Sequence, residues 1–132
     1  MKRIGFTLLL VFALTMVIGA PAGWAKETAY GYMIAYSPRD QVVYHTPIIT
    51  QQSPGVSSSD EEFFMQTSAV LQLESAFQKH LEQSYKIRSR NFTVSARVAY
   101  KSEEIARSHF NEEGGTFRFR GFRLIEVADF KP

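Results

Sequence analysis

The chain has 132 residues, no cysteine, and 15 Lys+Arg against 13 Asp+Glu. That length holds one domain, and the missing cysteines exclude disulfide staples, so packed apolar surface alone must hold the fold. The basic excess lies in Lys2 and Arg3. Residues 26–132 carry 13 basic and 13 acidic side chains, which excludes a polycationic nucleic-acid binder on bulk charge.

The chain begins Met1-Lys2-Arg3, runs apolar over residues 4–20 and leaves through "PAGWA". A basic stub, an apolar run and a small-residue exit predict a secretory signal peptide over residues 1–25 and one α+β domain over 26–132. Cleavage is expected after Ala25, where the polar "KETAY" starts, with Ala22 as the other site. The alternative is an anchor that is retained, but the run is short of the roughly 20 residues of a span and contains Gly5, Thr7, Thr15 and Gly19. The expected location is therefore outside the cytoplasm, periplasmic or secreted, with no membrane partner once the leader is gone.

In chain order, "AYGYMIAY" alternates and predicts a strand with Tyr30, Tyr32, Ile34 and Tyr36 on one face. "SPRD" is a turn, and "QVVYHTPIIT" a second, antiparallel strand whose Pro47 belongs near a sheet edge. Ser59 and Glu62 form a capping box ahead of a helix with Phe63, Val70, Leu73, Phe77 and Leu81 on its apolar face. "FTVSARVAY" alternates again, with Phe92, Val94, Ala96 and Val98 together. Ser102 caps a second helix, expected to end at Gly114-Gly115. In "GTFRFRGFRLIEV", a bulge at Gly121 puts Phe117, Phe119, Phe122 and Leu124 on the core face of a last strand, opposite Arg118, Arg120 and Arg123. The expected order is β-β-α-β-α-β, a mixed four-stranded sheet with both helices mainly on one face.

Two stretches invite comparison with known modules. Arg120, Gly121 and Phe122 resemble the opening of the RNP1 strand of RNA-recognition modules, but Arg123 and Leu124 stand where a small residue and a stacking aromatic belong. Residues 92–127 resemble the β-α-β half of SPOR domains, envelope modules that bind denuded peptidoglycan glycans, through Ser102, Glu104 and Ala106. The first half departs, with a hairpin where that family has strand-helix-strand, so no binding residue carries over.

Chemistry-bearing motifs are sparse. His45, His80 and His109 lack paired ligand spacing, and no GxSxG, P-loop or dinucleotide fingerprint occurs. No cofactor, metal or catalytic residue is expected. The best clue is tyrosine: Tyr30, Tyr32, Tyr36 and Tyr44 with Arg39, together with Arg118, Arg120 and Arg123, form the expected recognition surface. The reading is a small non-enzymatic binding protein of a bacterial envelope, of inhibitor or immunity type, partnered by a protein or envelope component and not by nucleic acid. The alternative is a small hydrolase with a histidine-carboxylate site at His45 or His109; an arginine-histidine site of Arg39 and His45 across the hairpin is a further candidate.

Overall fold

The computed structural model describes residues 26–132; the expected leader lies outside them. The order is β1 (Glu27–Ser37), β2 (Val42–His45), β3 (Ile49–Ser53), α1 (Thr67–Ser84), β4 (Thr93–Tyr100), α2 (Glu103–Phe119) and β5 (Arg123–Glu126). A 3-10 turn, Ser89–Asn91, leads into β4. These elements make a mixed sheet in a single α+β domain.

β1 is the spine. On one side it pairs antiparallel with β4, from Tyr36↔Thr93 to Tyr30↔Tyr100. On the other it pairs with β2 near its end (Ser37↔Val42) and with β3 near its start (Glu27↔Ser53). β2 and β3 are thus the expected second strand, broken at Thr46-Pro47-Ile48, which accounts for five strands instead of four. Pro47 cannot donate a ladder bond. Thr46 restores contact with β1, where its N–H donates to the Met33 carbonyl at 3.0 Å and its Oγ1 accepts from the Met33 N–H at 2.9 Å. β5 joins the outer edge of β2 in parallel.

The helices lie on opposite faces, which corrects the one-face expectation. Met33 and Ala35 of β1 pack with Phe77 and Leu81 of α1, while Tyr32 and Ile34 pack with Ala106 of α2. The tyrosine alternation describes only one parity of β1. The other parity, Ala29, Met33 and Ala35, is equally apolar, and all three residues are fully buried. A strand apolar on both faces needs cover on both.

Both helix boundaries also differ from expectation. The Ser59 capping turn forms, with its Oγ accepting from the Glu62 N–H at 3.1 Å. The chain beyond it is then captured by the edge of β4: the Phe63 N–H donates to the Ala99 carbonyl at 2.7 Å, and the Lys101 N–H to the Glu61 carbonyl at 2.8 Å. α1 therefore starts only at Thr67, and Phe63 precedes it. Phe77 and Leu81 are buried as expected, and Val70 is half-buried.

α2 is capped by Ser102, whose Oγ accepts from the Ile105 N–H at 3.1 Å. It runs through Gly114-Gly115 because Ala106, Phe110, Gly114 and Phe117 continue one stripe at helical spacing. It ends instead in a Schellman motif at Gly121 (φ +88°). The Phe122 N–H donates to the Phe117 carbonyl at 2.9 Å and the Gly121 N–H to the Arg118 carbonyl at 3.0 Å, with the Phe117 and Phe122 rings 5.2 Å apart. Gly121 is thus a helix terminator and not a strand bulge. Arg118 lies in the last turn of α2, Arg120 caps it, and Arg123 opens β5. Phe119, expected in the core, is 92 % exposed.

Candidate functional site

Between α2 and the β1–β4 ladder lies a cleft of about 550 Å³. Tyr32 and Tyr36 of β1 and Arg97 and Tyr100 of β4 form its floor, α2 forms its wall through His109, Glu113 and Thr116, and Arg120 stands at one end.

A backbone irregularity brings Tyr100 into the cleft. The register slips by one residue between Tyr32↔Arg97 and Tyr30↔Tyr100, so Val98 and Ala99 together oppose Gly31. Ala99 takes φ 76°, in the left-handed region where a side chain is strained. The bulge re-aims Tyr100 from the α1 face, where Val94, Ala96 and Val98 point, to the α2 face. Gly31 makes room for it: a Cβ there would lie 2.4 Å from the Arg97 carbonyl oxygen and 2.6 Å from Val98 Cα.

Three side chains lock together at the centre. The Tyr32 hydroxyl donates to Glu113 Oε1 at 2.8 Å. Arg97 meets the same carboxylate with Nε, 3.2 Å from Oε2, and with Nη2, 3.1 Å from Oε2, and its Nη1 donates to Ser95 Oγ. Burial, then the Glu113 carboxylate, pushes the Tyr32 hydroxyl far above the ordinary phenol range, so it remains a donor. Burial pulls the Arg97 guanidinium down, but its hydrogen bonds to Glu113 more than compensate, and it stays charged. Tyr100 is likewise pushed up, by burial and then by the Glu62 charge. At the other end the His109 ring stacks on Tyr100, with centroids 4.6 Å apart, and its Nε2 lies 3.3 Å from Glu61 Oε2.

Of the expected recognition residues, Tyr32, Tyr36 and Arg120 line this cleft, and Tyr30 shares its face. Tyr44 does not: β2 turns it to the α1 face, where its ring sits 5.7 Å from Tyr85 and 5.6 Å from Phe92. Arg39 is exposed in the Pro38–Gln41 turn, and Arg118 and Arg123 are exposed outside the cleft. The Arg39–His45 pairing does not form, since His45 is buried with its ring 4.7 Å from Phe110. Sequence reasoning missed Arg97, Tyr100 and Glu113 as site residues, and named His109 only for the hydrolase alternative. A helix continued past Gly114 would have put His109, Glu113, Thr116 and Arg120 on one face; nothing in the sequence marks Ala99 as a bulge.

Among the described residues, no group of three or more His, Asp or Glu side chains could share a metal ion. No helix among them is long and apolar enough to cross a membrane. The fold and the cleft define a small three-layer domain, helix on sheet on helix, with an aromatic and arginine-bearing groove. No family model, curated protein or solved structure matches the chain.

Proposed function

We propose that this is a small exported binding protein of a bacterial cell envelope, of inhibitor or immunity type, that holds a projecting group of a partner protein or envelope component in the α2 cleft. The observation that carries the reading is the Tyr32–Glu113–Arg97 network. Its polar groups are already fixed by one another, so a ligand meets a preorganised surface and little ordering cost. Glu113 spends its charge on Arg97, while Arg97 retains N–H donors toward the cleft and Arg120 adds a second guanidinium at the end. Rigid tyrosine rings beside arginine suit recognition of a mixed apolar and anionic group.

The test is retention from envelope extract by wild type, by Tyr36→Ala/Arg120→Gln in the cleft, and by Leu71→Ser on the far helix. A partner kept by wild type and Leu71→Ser but lost by the cleft variant is the expected result. Equal retention by all three would remove the cleft from binding.

The second reading, a small hydrolase, draws on the His109–Glu61 pair at 3.3 Å. An oriented imidazole is the usual general base. Turnover of envelope polymers that disappears in His109→Gln would favour it; binding undiminished in that variant, without turnover, favours the first.

A further inference from the structure

The strand registers collect arginines at one end of the molecule. Ser37 pairs with Val42 and Val42 with Arg123, so the Pro38–Gln41 turn, the end of α2 and the start of β5 lie together. The Arg123 N–H donates to the Gln41 carbonyl at 2.9 Å. Arg39, Arg118, Arg120 and Arg123 are all exposed there. Thr93 pairs with Tyr36, which brings the preceding turn, with exposed Arg88 and Arg90, to the same end. Among the described residues, no carboxylate lies within salt-bridge distance of any of these arginines. Asp40 is the one acid in these segments. The opposite end, where β1 starts, β4 finishes and α2 begins, carries Glu27, Asp60, Glu61, Glu62, Glu103 and Glu104 against Lys26, Lys101 and Arg107, an acidic balance. The molecule is a charge dipole along its strands.

Phe119 stands within the basic end, on the last residue of α2, 92 % exposed between Arg118 and Arg120. We infer that this end docks on an anionic lipid bilayer, with Phe119 entering the headgroup boundary and the arginines facing lipid phosphates. The expectation of no membrane partner concerns the chain once its leader is gone, and the net charge of zero over residues 26–132 averages over two opposite ends. A lone aromatic on a helix tip needs no preformed pocket in a bilayer, and six guanidiniums outside any ion pair match a surface of phosphates. One aromatic alone holds weakly, so charge and ring are both required.

The test is vesicle co-sedimentation of the full chain recovered after processing by the expressing cell. Vesicles of phosphatidylcholine alone are compared with vesicles containing phosphatidylglycerol, at low and high salt. Binding to the anionic vesicles alone, lost at high salt, is expected. Arg118→Gln/Arg120→Gln/Arg123→Gln should weaken it by about a hundredfold, since each basic residue near such a surface counts for about fivefold. Phe119→Ser should weaken it severalfold, and matched thermal melts would show that both variants remain folded. Equal binding to neutral vesicles, or indifference to both variants, would overturn the inference. So would Phe119-dependent dimerisation without lipid, or tighter capture by polyglutamate or duplex DNA than by anionic vesicles. Because the vesicles contain no partner protein, failure here leaves the cleft reading to its own test.

Discussion

Ala99, with φ 76°, and Gly31, with no room for a Cβ, set the backbone behind the cleft, which depends on both. Any side chain on Gly31 would collide with backbone atoms of β4, which cannot swing aside as a side-chain tip can. Gly31→Ala is therefore expected to cost at least about 1–3 kcal/mol in denaturant melts. It should also unstack Tyr100 from His109, visible as a change in the His109 ring shifts by NMR. Tyr32 gives a pH prediction. Its folded-state pKa lies above its unfolded value of about 10, so its contribution is full below that pH and is lost as pH rises through the folded value. Melts from about pH 8 upward should show an alkaline loss of stability that Tyr32→Phe reduces. Two phenylalanines separate core from surface. Phe77→Ala, fully buried against Phe130, should cost about 3–5 kcal/mol. Phe119→Ala should change stability by less than about 0.5 kcal/mol, since the ring touches little to lose.

At the scale of elements, α2 shows most clearly which local signals hold in this chain and which give way. Its start was legible, because Ser102 followed by Glu103 and Glu104 is a local signal and the Glu103–Arg107 pair forms at 2.7 Å. Its end was not. A glycine pair usually stops a helix, yet Gly114 is retained because Leu124 packs over it, a contact made from the next strand. The true stop was written in Phe117, Gly121 and Phe122, the spacing of a Schellman motif, which the alternation of Phe and Arg disguised as a strand. Gly115→Ala should stabilise by up to about 1 kcal/mol, since a Cβ there meets nothing within 4 Å and the residue is helical and exposed. Gly121→Val should destabilise, through the positive φ it must keep. Opposite signs in thermal melts would confirm which glycine ends the helix. The capping box at Ser59 misled for a similar reason: the Ser59 side-chain bond to the Glu62 N–H forms, but the edge of β4 decides the path of the chain beyond Glu62.

At the scale of the whole molecule, sequence reading captured the α+β class and the mixed sheet. It missed the arrangement of layers because β1 is apolar in both parities, and only tertiary packing shows that each face has its own helix. That arrangement creates the cleft: with α1 on one face, α2 is free to lie across the other and bring Glu113 over Arg97 and Tyr32. The central claim is that this cleft, and not the outer face of α1, meets the partner. Site-specific photocrosslinking tests it most directly, with a photoreactive phenylalanine analogue at Tyr36 in one strain and at Leu71 in another, illuminated in intact cells. A discrete adduct from position 36 and none from 71 is the expected result. An adduct from position 71 with none from 36 would contradict it.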